Sequence, residues 1–145
     1  MRSLKSPSGF SLIEVMVASA ILGCAVLSVA QLVATATIAT ADARRVSEAT
    51  LLAWQKIDQL RSLAFAFDDA GLPVTDALLV PSPAGTLTND TDGYIERVDG
   101  QYRCRWAIAW VAGNPDLLVL RARVLANGLD NELASAVTLR GRRRP

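Results

Sequence analysis

An α+β fold, with one long N-terminal helix packed against a small C-terminal antiparallel sheet of about four strands, is predicted by three features of this 145-residue chain. An uncharged apolar stretch runs from Val15 to Ala41. It passes without proline or glycine into a segment with helical spacing, and beyond Gly93 the hydrophobic period changes to two.

The first nine residues read as a leader. Met1 to Gly9 carries Arg2 and Lys5 with the breakers Pro7, Ser8 and Gly9. Two cations and no acid before Glu14 keep this segment cytoplasmic by the positive-inside bias, and put everything after about Thr40 across the membrane. A secretory signal also opens on basic residues, but it continues with an apolar core of about 7–15 residues and a small-residue cleavage site. Here the uncharged run exceeds the ~20 residues a helix needs to cross the hydrocarbon. The natural break, Gly9-Phe10, precedes the apolar run.

Glu14 stands at the head of that run. An acid at the centre of a membrane helix costs about 2.5–3.5 kcal/mol on insertion scales, so its presence implies a dedicated partner or a position close to water. The plainer alternative is an interfacial acid on a single-pass anchor, snorkelling to water. That reading leaves Gly9-Phe10 unexplained.

The string Gly-Phe-Ser-Leu-Ile-Glu-Val-Met-Val-Ala at positions 9–18, behind a short basic leader, resembles the class III signal of type IV pilins and type II secretion pseudopilins. The resemblance implies that a membrane peptidase, prepilin peptidase, cuts after Gly9. It also implies that Phe10 becomes an N-methylated terminus and that Glu14 is the assembly acid. Cleavage creates an ammonium at Phe10, and a neighbouring subunit's ammonium can neutralise Glu14 through a charge-assisted hydrogen bond when the two dock in register. The family's mid-anchor proline is missing, with Gln31 in its place, which weakens the expectation of a kink or melted turn there.

The chain divides into a leader (1–9), a hydrophobic transmembrane and assembly half-helix (10–41) and a periplasmic pilin-like domain (42–145). In the last, apolar Val46, Ala49, Ala53, Ile57, Leu60, Ala64 and Phe67 alternate with Asp42, Arg44, Arg45, Glu48, Gln55, Asp58 and Arg61 at helical spacing. One continuous helix from about Phe10 to about Ala64, roughly 80 Å long, follows. Gly23 is its sole glycine, a place for close approach of a neighbouring helix or a point of mild flexibility.

Asp68 to Gly93, rich in Asp, Gly, Pro, Ser and Thr, reads as a long connecting loop. Asp90, Asp92 and Glu96 do not fit a calcium-loop register and read as turn acids. The sheet spans 94–139. Tyr94 to Val98 is a short strand, and Asp99-Gly100 a hairpin signal. Tyr102, Cys104, Trp106, Ile108 and Trp110 form one face of the next strand, with Arg103 and Arg105 opposite. A turn at Gly113-Asn114-Pro115-Asp116 leads to a strand at Leu117–Ala126, and Asn127-Gly128 opens a loop before Glu132–Leu139. Trp106 and Trp110 read as core residues against the helix.

The tail, 140–145, holds Arg140, Arg142, Arg143 and Arg144 and reads as a solvated, disordered end. Contact with acidic lipid or an acidic neighbour is its alternative. Cys24 and Cys104 lie too far apart in the fold for a disulfide, so both read as free thiols.

Removing Arg2 and Lys5 with the leader leaves 13 basic against 14 acidic residues, a balance that does not point to nucleic acid. The chain has no histidine, no phosphate-cradling glycine loop, no metal-spaced cysteines and no nucleophile elbow, so no catalytic residue, metal site or cofactor is expected. The resemblance implies a minor pilin or pseudopilin, a structural subunit of a type IV pilus or a type II secretion pseudopilus. Residues 51–61 and the tryptophan-bearing strand are most similar to PilV-type minor pilins and I-type minor pseudopilins. Its implied partners are other major or minor pilins or pseudopilins, prepilin peptidase, the inner-membrane assembly platform and membrane lipid. Its implied place is the bacterial inner membrane, single-pass, with a cytoplasmic N-terminus and a periplasmic domain. The alternative is an anchored periplasmic binding or sensor domain that keeps its leader.

Overall fold

The computed structural model describes residues 11–128 and 130–144. One helix, α1 (Leu12–Ser62), is followed by six strands: β1 (Phe65–Phe67), β2 (Pro73–Thr75), β3 (Ile95–Val98), β4 (Tyr102–Val111), β5 (Asn114–Ala126) and β6 (Glu132–Gly141). The chain forms two compact units, divided after Asp42.

In the first unit, the described residues from Leu12 onward are all α1, and every one is exposed. Leu12, Ile13, Val15, Ile21, Leu22, Leu27, Leu32 and Ile38 cover its whole circumference, as its uniformly apolar sequence requires. Its hydroxyls are satisfied within the helix. Ser19 Oγ donates to the Val15 carbonyl at 2.7 Å, Ser28 Oγ to Cys24 at 2.8 Å, and Thr40 Oγ1 to Ala36 at 2.7 Å. A polar side chain that returns its proton to the previous turn loses little when water is removed. Around Gly23 no heavy atom comes within 4 Å of where a Cβ would stand.

In the second unit, the remainder of α1 buries one stripe, Ala49, Ala53, Ile57 and Leu60, against a four-stranded antiparallel sheet in the order β3-β4-β5-β6. The helix-facing residues are the alternating set of each strand: Tyr102, Cys104 and Ile108 on β4, Leu118, Leu120, Ala122 and Val124 on β5, and Ala136 on β6. Small alanines at positions 49 and 53 let the helix sit close over these larger chains. Cys104 is a buried free thiol whose pKa burial pushes up to about 11, and Cys24 is a free thiol as well. Trp106 packs on this core, while Trp110 lies at its margin, its ring 5.8 Å from that of Phe65.

The β3–β4 hairpin turns at Asp99 and Gly100, both with positive φ (51° and 66°), as the mirror-image hairpin turn requires. Three other segments depart from the sequence reading. The reversal between β4 and β5 uses Ala112 and Gly113 alone, with Gly113 at φ 78°, and Asn114 to Asp116 already belong to β5. Pro115 is tolerated there because it sits at the strand's outer end, where few ladder bonds remain.

The 68–93 connection is not wholly loop. β2 pairs antiparallel with β1, and the Asp68 carboxylate folds the intervening turn by accepting the amides of Ala70 (3.0 Å) and Leu72 (2.7 Å). Further on, Leu79 plugs into the core, and Ser82 docks on β4 through its amide to the Ile108 carbonyl at 2.9 Å.

The basic tail is not a solvated end. β6 runs to Gly141, and Arg143 bridges β1, donating its amide to the Phe65 carbonyl (3.1 Å) and accepting from Phe67 (2.9 Å).

Candidate functional site

The sequence points to Gly9, Phe10 and Glu14 as processing and assembly residues. Gly9 and Phe10 lie outside the described residues. Glu14 stands in the first turn of α1, where its amide donates to the Ser11 carbonyl at 3.0 Å. Its side chain is exposed between Ile13 and Val15, and among the described residues it makes no ion pair. The nearest acid or base further along is Asp42, so the apolar surface from residue 15 to 41 carries no charge of its own.

The second unit, by contrast, pairs its charges inside itself. Glu48 accepts from the Tyr102 hydroxyl at 2.9 Å and from Arg44 Nε at 3.0 Å, tying α1 to the start of β4. The Tyr102 hydrogen bond, and after it that of Arg44, lowers the Glu48 pKa; burial and then the hydrogen bond to Glu48 raise that of Tyr102. Lys56 pairs with Glu96 and lies 4.1 Å above the Trp106 ring.

The sheet face away from α1 is covered in part. Arg105, with a side chain 4% exposed, donates to Asp90 Oδ1 from Nη2 (2.6 Å) and Nε (2.8 Å), and to the Thr88 carbonyl (2.7 Å). That hydrogen bonding lowers the Asp90 pKa. Asp90 and Glu96 thus serve arginine and lysine partners, and among the described residues no cluster of His, Cys, Asp and Glu could hold a metal ion.

The tail arginines close the end of the unit. Arg140 donates Nη1 to the Leu60 carbonyl at 2.8 Å and Nη2 to Leu63, capping the C-terminus of α1 from 80 residues away. Arg142 holds Asp116 (2.9 Å) and the Val74 carbonyl (3.0 Å), and its guanidinium lies 4.2 Å over the Phe65 ring. Arg61 and Arg143 stand beside Arg140 on a groove over Phe65. The sequence shows the arginine cluster but gives no sign of these partners.

Residues 4–30 match the family described as the prokaryotic N-terminal methylation motif. No curated protein and no solved structure matches the chain. The match takes in Lys5, Gly9, Phe10, Glu14 and the apolar run as far as Ala30, and α1 is long and apolar enough to cross a membrane. Residues 4–30 thus carry a prepilin-type class III signal at the head of a helix that supports a membrane anchor, and the helix-on-sheet arrangement is pilin-like.

Proposed function

We propose that the chain is a minor pilin or pseudopilin, a structural subunit without catalytic activity. It enters a type IV pilus, at its assembly or tip-initiation stage, or a type II secretion pseudopilus by way of α1. Prepilin peptidase cuts after Gly9, Phe10 is methylated, and the new amine of one subunit meets Glu14 of its neighbour. Before assembly the chain sits in the bacterial inner membrane with its N-terminus cytoplasmic and residues 42–145 periplasmic. There it contacts lipid, the assembly platform and other pilins or pseudopilins.

The observation that supports this reading is an order of residues: basic leader, Gly9, Phe10, Glu14 and a long uncharged run. An exposed apolar helix surface with one acid needs a cover that is itself apolar and brings one cation. A second processed subunit supplies both. Small size and a short sheet favour a minor subunit over the principal one. The test is mass spectrometry of the mature N-terminus from cells with a working processing enzyme. A terminal peptide beginning at N-methylated Phe10 is expected; retention of Met1 to Gly9 overturns the assignment.

A further inference from the structure

We propose that the groove between the last turn of α1 and the end of β6 is a carboxylate-binding site that receives an extended acidic and aliphatic segment of a partner subunit. The groove encloses about 390 Å³ and is lined by Asp58, Arg61, Phe65, Leu139, Arg140 and Arg143; a second cavity of about 350 Å³ adjoins it and shares all three arginines. Three cations therefore face one acid. Asp58 stands 3.7 Å from Arg61, and both side chains are more than half exposed, so it offsets little of that excess.

The three arginines are brought together by different means. The main chain of Arg61 is set by the helix, and that of Arg143 by the hydrogen bonds that tie it to β1 on both sides. Arg140 spends its terminal nitrogens on the Leu60 and Leu63 carbonyls. Its pKa is lowered by burial first and then by the charges of Arg143 and Arg61, so the like charges stand close enough to repel. Among the described residues the Arg143 side chain makes no hydrogen bond or ion pair and Arg61 holds only the long, exposed pair with Asp58, so both can turn to an incoming anion. A planar guanidinium fork matches a carboxylate with two parallel hydrogen bonds, and an anion here relieves the repulsion among the three.

The surroundings select the kind of anion. Leu139, 67% exposed, forms the rim, and Val137, 57% exposed, follows it on the same face of β6. β6 is the last strand of the sheet, and among the described residues no further strand pairs with its outer edge along residues 132–140. A phosphate ion finds only the guanidiniums. An extended protein segment with an acid beside aliphatic residues meets the guanidiniums, the aliphatic rim and the strand edge together. The partner's being a subunit of the same assembly rests on the proposed function; the site itself does not.

The test uses the full chain in detergent and fluorescence anisotropy of a labelled Leu-Glu-Leu-Glu-Leu peptide, with a glutamine-substituted peptide as control. The acidic peptide is expected to bind at least about tenfold more tightly than the control, and the Arg61→Gln/Arg143→Gln double variant to lose at least about tenfold. Arg144→Gln is expected to stay within about twofold. Arg143→Lys keeps the charge and the main-chain pairing, and its several-fold loss guards against misfolding of the double variant. Equal binding of the two peptides, or of wild type and double variant, overturns the site. So does displacement by inorganic phosphate as efficient as by unlabelled acidic peptide, or capture by anionic phosphatidylglycerol vesicles without peptide binding. Failure here with a methylated Phe10 terminus overturns only the groove; success with an uncleaved leader overturns only the subunit assignment.

Discussion

Leu22 and Ile57 lie on the same helix and differ little in hydrophobicity, yet Leu22 is 65% exposed and Ile57 is not exposed at all. Around Leu22 the whole circumference is apolar; around Ile57 only one stripe is, and the sheet covers it. Thirteen large apolar side chains from Leu12 to Ile38 remain uncovered, and at about 1.5–3 kcal/mol each they represent about 20–40 kcal/mol of burial that other molecules must supply. The second unit buries a core of its own, Ile57 with Phe65, Ile108, Leu118 and Leu120 among others, and leaves only scattered apolar side chains such as Leu51, Leu78 and Leu139 exposed. One region thus leaves its apolar surface uncovered and the other buries a core of its own, and between Leu12 and Ala41 the first carries one charge, Glu14.

The sharpest way to break this contrast is Ile57→Ala against Leu22→Ala. Removing Ile57 leaves a cavity in the middle of the helix–sheet core and is expected to cost about 2–5 kcal/mol in denaturant unfolding of the second unit. Leu22→Ala is expected to stay within about 0.5 kcal/mol in the same measurement. An equal loss for both would mean that the first unit is stabilised by contacts within the chain.

Glu14→Ala tests the associating region. Leader removal, followed by mass spectrometry, is expected to proceed as in the parent, while incorporation into filaments, followed by fractionation and immunoblotting, falls about tenfold or more for loss of one charge-assisted hydrogen bond. Normal incorporation would leave apolar packing as the whole cause of association.

The smallest expected effect is a pH dependence confined to the second unit. The Arg105 hydrogen bonds lower the Asp90 pKa below the ordinary 3.8, so the unfolded chain binds more protons than the folded one in acid. The stabilisation is complete above the unfolded value and is lost as pH falls through the folded one. Unfolding midpoints are therefore expected to fall below pH about 3.8, less steeply in Asp90→Asn, with Asp90 partly exposed and the effect correspondingly modest. An unchanged acid slope in that variant would assign the pH dependence to other carboxylates.

How much of this could be read in advance follows the range of each interaction. The helix, the Ala49, Ala53, Ile57 and Leu60 part of its expected stripe, the two faces of β4 and the Asp99-Gly100 turn depend on neighbours within a few residues, and all four were legible; Val46 is instead exposed, and Ala64 and Phe67 lie beyond the helix end at Ser62, Phe67 on β1. The β1–β2 pair was hidden in a loop-like composition because three-residue strands carry too few alternations to register. The Arg105 burial was hidden as well, since an arginine on the far side of a strand reads as solvated until a distant segment, here Thr88 and Asp90, folds over it. The arginines of the tail misled for the same reason. Arg140 finds its carbonyls 80 and 77 residues back, and Arg142 its carboxylate 26 residues back.

Apolar periodicity, a property of consecutive residues, decided by itself which part of the helix needs an external cover and which needs a sheet, because burial of a face depends only on where the side chains point along that element. The destinations of Arg105, Arg140 and Arg142, and the groove left between Arg61 and Arg143, were decided only when remote segments met. A charge is satisfied by whatever lies within a few ångströms, and no local pattern in the chain encodes that distance.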